Sequence, residues 1–248
     1  MTDAAGPLLF ARYAYPPNAL GLCGADEPRT LLEYGAARAS DGGLAQLAQT
    51  FAGAWPYLTL IASANGIADP LDPRVVQAYW VGNDLLERVP PAALVRDVDE
   101  RFRGRLGRAR DGVFAAAAAG AVAHHCFHVF VVYPWLGLLR SGIVDEPLRV
   151  LEQCRIKPAV VRSVVGEELE VLARPVEWSG DTLRLGKPAL RTVRWQTGGL
   201  SFAQPQPGDL VTLHWDFVCD VITKDEARRL ETLTLRCLRA AAAGAPPG

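Results

Sequence analysis

The stretch "AVAHHCFHVF", residues 121–130, gathers three of the chain's four histidines, His124, His125 and His128, inside an apolar run from Val113 to Leu139. Buried imidazoles need hydrogen-bond or metal partners. Read as one continuous helix, His124 and His128 stand a turn apart on one face, the geometry by which a helix gives two ring nitrogens to a metal. His125 is rotated by about 100° and meets either a backbone group that fixes its tautomer or a second site. Two imidazoles do not close a metal site. Glu33, Asp84, Glu87, Asp97 and Glu100 offer carboxylates, and Cys23 in "LGLCG" offers a softer ligand. The competing reading is a polar core, with neutral histidines bonded to the main chain or to Tyr13, Tyr15, Tyr34, Tyr57 and Tyr79. The spacing alone leaves both open.

The elements that must position these residues fall into two groups. Up to about residue 150 the apolar residues recur at helical spacing. "EPRTLLEYGAARAS" and "GLAQLAQTFAGAWPYLTLIASANG" read as helices, the second kinked or divided at Pro56. "DPRVVQAYWVGNDLLERVPP" opens with Asp72 as N-cap and Pro73 at the first helical position. Leu94, Val98, Phe102 and Leu106 form one stripe of an amphipathic helix. The histidine run is apolar all round and predicts a central helix. "RYAYPPNALGLCG" reads as a stiff extended segment because of its Pro-Pro pair.

After Cys154 the pattern changes to short β-branched and aromatic runs. These are "AVVRSVV", "ELEVLARPVEW", "TLRLG", "LRTVRWQ" and "LVTLHWDFVCDVI", punctuated by glycine turns. Thr223 and Glu226 then form a capping box that starts a last helix, and the final "GAPPG" predicts fraying. The fold class expected is α+β: a helical domain over 1–150, then a small β-barrel with a C-terminal helix over 151–248.

Composition narrows the function. A net charge of −1, with no Lys/Arg-rich run, gives no electrostatic footprint for nucleic acid. The five cysteines are odd in number and form no CxxC pair, which points to a reducing cytoplasm rather than a disulfide framework. The N-terminus lacks the basic start and apolar core of a signal peptide. The histidine run is long enough to span a bilayer, but its alanines, three imidazoles and the Tyr133-Pro134 break favour a buried helix, so no membrane span is expected. Phosphate-loop, dinucleotide and nucleophile-elbow motifs are absent.

The C-terminal part carries a resemblance. Cys154 is followed four residues later by Pro158 and a valine-rich strand. Gly208-Asp209 makes a turn, a strand ends in His214, and Asp225-Glu226-Ala227 starts a helix. This order resembles the HypC/HupF family of nickel-iron hydrogenase assembly chaperones over residues 154–235. The resemblance implies a small, OB-like β-barrel and a cysteine that helps hold an iron carrying cyanide and carbon monoxide, together with a scaffold partner. Three features depart from the family: its cysteine follows the initiator methionine whereas Cys154 is internal, Ala159 replaces the usual glycine, and the middle section "ARPVEWSGDTLRLGKPALRTVRWQTGG" is longer than the family's. The segments "FARYAYPPNALGLCG", "AYWVGN" and "HHCFHVFVVYPW" also resemble a family of actinobacterial proteins linked with nickel-iron hydrogenase gene sets.

Two functions follow as expectations. One is a non-enzymatic maturation factor that binds or hands on iron at Cys154 and His214 and docks a maturation scaffold or the hydrogenase large subunit, with His124, His125 and His128 as further metal candidates. The other is a helical enzyme dependent on non-haem iron, another metal or haem, with the barrel as a docking module. A plainer reading makes Cys154 a small hydrophobe at a strand start and His214 a strand surface residue.

Overall fold

The computed structural model describes residues 5–102 and 109–243. Its first helix, α1 (Gly6–Ala19), contains Pro16 and Pro17 in its last turn. The "YPPNA" stretch is therefore helical, not extended. The prolines fit because their fixed φ is helical, and what they cost is two N–H donors. The chain continues through α2 (Pro28–Ala37), α3 (Gly42–Gln49), α4 (Trp55–Ala64) and α5 (Pro73–Trp80). Pro56 sits in the first turn of α4, so the long apolar segment is divided there. Asp72 caps α5 by accepting the Arg74 N–H at 2.9 Å. A 3-10 turn (Asp84–Arg88), α6 (Pro91–Phe102) and α7 (Ala109–Ala118) follow. Leu94 and Val98 are buried on α6 as the stripe predicts; Leu106 lies outside the described residues, as do residues 244–248.

The histidine run departs from its predicted form. The alanine-rich helix α7 ends at Ala118, and Gly120, with φ +92°, turns the chain. Residues 121–124 are not helical, and a new helix starts as α8 (His125–Phe127), which passes into a π-helical turn (His128–Val132). His124 therefore stands at the N-cap, with φ −106° and ψ 154°. It does not share a helix face with His128. Then come α9 (Trp135–Arg140) and α10 (Asp145–Cys154).

The change to strands comes directly after Cys154. Strands β1 (Lys157–Val165), β2 (Glu168–Ala173), β5 (Ala189–Arg194), β6 (Leu210–His214) and β7 (Phe217–Ile222) pair in the order β1-β2-β5-β7-β6, and β6 returns to β1. β5 and β7 meet through one parallel pair, Arg194 and Phe217, so the sheet curls round with a thin seam. β3 (Val176–Trp178) and β4 (Leu183–Leu185) form a separate hairpin. Alternating residues fill the curled sheet with Ala159, Val161, Leu169, Val171, Val193, Val211, Leu213 and Val218. The fold class is α+β.

The last helix, α11 (Lys224–Ala243), opens on the expected capping box: Glu226 donates its N–H to Thr223 Oγ1 at 3.2 Å, and the Thr223 N–H reaches Glu226 Oε2 at 2.8 Å. Sequence reading grouped this helix with the strands. In the structure Leu230, Leu233, Cys237, Leu238 and Ala240 join the same buried core as α1, α5 and α8. The helix also lies against β1, β4 and β6. A hydrophobic stripe has no memory of which segment it followed; it buries against whatever apolar surface is nearest.

Candidate functional site

Three elements bring their ends together. α10 ends at Cys154, so the Cys154 carbonyl is one of the orphan acceptors of a helix C-terminus. α8 begins beside it, and His125 Nε2 lies 2.8 Å from that carbonyl and 4.0 Å from Cys154 Sγ. The β6–β7 hairpin completes the group. His214 is the last residue of β6, and the turn residues Trp215 and Asp216 both have positive φ, +49° and +55°. That is the backbone of a two-residue type I′ turn, which a tryptophan rarely adopts. The turn is held from α10: the Trp215 N–H donates to the Gln153 carbonyl at 2.8 Å, and Gln153 Nε2 donates to Asp216 at 2.8 Å.

The result is a cluster in which ligand atoms of His125, Cys154 and His214 all lie within 4.8 Å of one another, with all three residues buried. The rings of His125 and His214 are 5.2 Å apart at 75°, and Trp80 packs on both, 4.7 and 5.8 Å away.

Hydrogen bonding assigns the ring protons. His214 Nδ1 is 2.7 Å from the Tyr13 carbonyl, an acceptor, so Nδ1 carries the proton. Pro17, four residues beyond Tyr13, has no N–H to give that carbonyl, which leaves it available to the histidine. His214 Nε2 is then a bare lone pair, buried, with no hydrogen-bond partner. His125 Nε2 faces the Cys154 carbonyl at 2.8 Å and so carries the proton, which leaves Nδ1 to accept from the Tyr79 hydroxyl at 3.1 Å. Such outer contacts orient metal-ligating histidines.

Burial decides the charge states. It lowers the pKa of His125 to about 4, against the Cys154 backbone. With His125 nearby, it also places His214 well below its ordinary value, against the Tyr13 and Cys154 backbones, the latter close to His214 but outside hydrogen-bond geometry with Nε2. Burial, with a contribution from Cys23, pushes the Cys154 thiol up to about 12. The Trp215 indole works the other way, lying close enough to favour the thiolate. Both imidazoles are therefore neutral: His214 offers its bare Nε2, whereas His125 would ligate through Nε2 only after its proton moves to Nδ1 beside the Tyr79 hydroxyl, and the thiol must lose its proton. Two nitrogens and a sulfur suit iron, zinc or cobalt, and three protein ligands leave a further position open.

The cluster forms part of the wall of a cleft of about 620 Å³, lined mostly by apolar residues that include Pro17, Leu22, Phe51 and Trp135. His128, Tyr133 and Cys23 reach the same cleft. His128 Nδ1 meets the Tyr57 hydroxyl at 3.2 Å. His124 does not line it: its Nδ1 accepts the Cys126 N–H at 3.1 Å, and burial, with His125 nearby, lowers its pKa to about 3 despite the Trp80 backbone. His124 is a helix cap. The carboxylates named from sequence lie elsewhere. Glu33, Asp84, Glu87 and Asp97 pair with Arg29, Arg229, Arg236 and Arg101, and Glu100 is exposed.

A model of the family of unknown function DUF6390 matches residues 2–245. The chain belongs to DUF6390. No curated protein and no solved structure matches it. The family match spans the helices, the strands and α11 together, so both parts of the cleft come from one DUF6390 unit.

Beneath the cluster this DUF6390 chain carries a buried ionic lock that sequence reading missed. Glu152 accepts from Arg155 at 2.9 Å, Lys157 at 3.0 Å and the Val176 N–H at 2.8 Å. Burial opposes the ionised Glu152, but Arg155 and Lys157 outweigh it and lower its pKa. Lys157, fully buried, is lowered by burial against the pull of Glu152. The lock ties α10, β1 and β3 together one turn from Cys154. The "EQCRIK" spacing was the available signal, since charges flanking a helix-to-strand junction must be paired if the junction is buried.

Proposed function

We propose that this protein is an accessory or maturation factor for nickel-iron hydrogenase, which holds an iron centre on His125, Cys154 and His214 and passes it to a maturation scaffold or to the hydrogenase large subunit. One observation carries the metal part: the unpartnered, buried Nε2 of His214 converges with the Cys154 thiol and His125. A buried lone pair with no donor is costly unless something fills it. The resemblance of residues 154–235 to the HypC/HupF chaperones supplies the partner and the iron. Leu20 and Leu22, 57% and 53% exposed and lining the cleft, give it an apolar lip for docking.

When bound, iron would supply Lewis acidity and a position for small ligands. The chain's own residues do the rest. Tyr13 fixes the His214 tautomer, Trp215 favours the thiolate, and Trp80 and the apolar walls exclude water. The cleft volume favours a second reading, a metal- or haem-dependent enzyme, because about 620 Å³ exceeds the needs of an ion and its ligands. Turnover separates the two.

The test is affinity purification from cells producing a nickel-iron hydrogenase. Wild type is expected to carry iron and a maturation partner. Cys154→Ala and His214→Ala are expected to lose both while their melting temperatures stay close to wild type. Variants that keep iron and partner, or a wild type with neither, overturn the proposal.

A further inference from the structure

His128 stands outside the three-residue cluster but lines the same cleft, from the π-helical turn, and is only 3% exposed. Its Nδ1 faces the hydroxyl of buried Tyr57 at 3.2 Å. On the other side of Tyr57, the Arg101 guanidinium lies over the ring, 4.3 Å from its centroid, and is held there by Asp97. An arginine donates and never accepts. Beside that cation, the phenol oxygen is best satisfied as an acceptor, and its single hydrogen turns to His128 Nδ1. The burial-raised pKa of Tyr57 keeps that hydrogen in place. Burial, with His125 and Arg101 nearby, also keeps His128 neutral. A neutral ring that accepts at Nδ1 carries its proton on Nε2.

Nε2 lies against Gly53, where a Cβ would stand 3.3 Å away. Glycine leaves that edge of the ring uncrowded, and both residues line the cleft. The wall of the cleft that holds His125, Cys154 and His214 therefore also carries an N–H donor with the Arg101 guanidinium beyond Tyr57. We infer that His128 donates its Nε2–H to a small anion held at the open position of a metal on His125, Cys154 and His214. The ligand class is a compact anion with an acceptor atom, because a donor backed by Arg101 favours negative charge and disfavours a cation. This rests on the metal reading above.

The test loads the full-length protein with cobalt(II), whose visible bands report coordination, and titrates azide. Wild type is expected to bind cobalt and then azide. His128→Leu is expected to bind cobalt as wild type does but azide about tenfold more weakly, the usual weight of one hydrogen bond to a charged group. His128→Gln, which places an N–H near the same point, is expected to recover most of the loss. His128→Phe serves the same comparison if the leucine variant does not fold. Unchanged azide affinity in the apolar variant, no recovery with glutamine, or cobalt binding without an azide response overturns this inference alone. A wild type that shows no cobalt bands overturns the metal reading, and this inference with it.

Discussion

The Tyr13 carbonyl accepts the Nδ1–H of His214 at 2.7 Å, across 201 residues of sequence. Pro17 makes that contact available by withholding the helical N–H from the same carbonyl. The bond is expected to set one tautomer. Nitrogen-15 NMR of the metal-free protein should show His214 protonated at Nδ1 and bare at Nε2. A protonated Nε2 would mean that the buried lone pair on which the metal reading depends does not exist.

The four histidines make the fold sensitive to acid. All have pKa values lowered by burial, to about 3 for His124 and about 4 for His125. In the unfolded chain each titrates near about 6.5. Below that value the unfolded state binds more protons than the folded state, so stability falls as pH falls, by about 1.4 kcal/mol per pH unit for each histidine. The loss should begin near pH 6.5 and continue down to the lowered values. Melting temperatures taken from pH 8 to pH 5 should be level above about pH 7 and drop steeply below pH 6.5. A profile that stays flat to pH 5 would show that the histidines are not buried and neutral.

Metal uptake has its own pH dependence. His125 and His214 are neutral at pH 7, while Cys154 holds its proton up to about 12. Binding should release one proton, from the thiol, so affinity should rise about tenfold per pH unit between pH 6.5 and 9. Calorimetry in buffers of different ionisation enthalpy counts the protons. Zero released protons would mean that Cys154 is not a ligand.

The lock at Glu152 should matter more than a surface ion pair. Glu152→Ala leaves Arg155 buried without its carboxylate and Lys157 with only Asp216 at 3.5 Å, a change that costs about 3–5 kcal/mol. Denaturant unfolding measures it. A loss under about 1 kcal/mol, the range of exposed pairs, would show that the charges are solvated.

The switch from helix to strand was legible near residue 150 because the hydrophobic period itself changes there, and Thr223 with Glu226 announced α11 through local chemistry. The histidine geometry was not legible. The i,i+4 argument for His124 and His128 holds only inside an unbroken helix, and Gly120, directly after the alanine run, breaks it. That break turned His125 toward Cys154. The Tyr13–His214 contact was hidden because Pro16 and Pro17 read as extended chain. Cys154 and His214 are 60 residues apart and no periodicity relates them; only the family resemblance joins them. α11 was placed with the strands it follows, although its apolar face also serves the helical core.

Cobalt(II) loading with single variants tests the central claim most directly. Wild type should bind one equivalent and show the near-ultraviolet band of a thiolate bound to cobalt. Cys154→Ser should lose that band, His125→Ala and His214→Ala should bind cobalt at least tenfold more weakly, and His124→Ala should match wild type. A wild type that binds no cobalt, or a Cys154→Ser variant with an unchanged spectrum, would contradict the account.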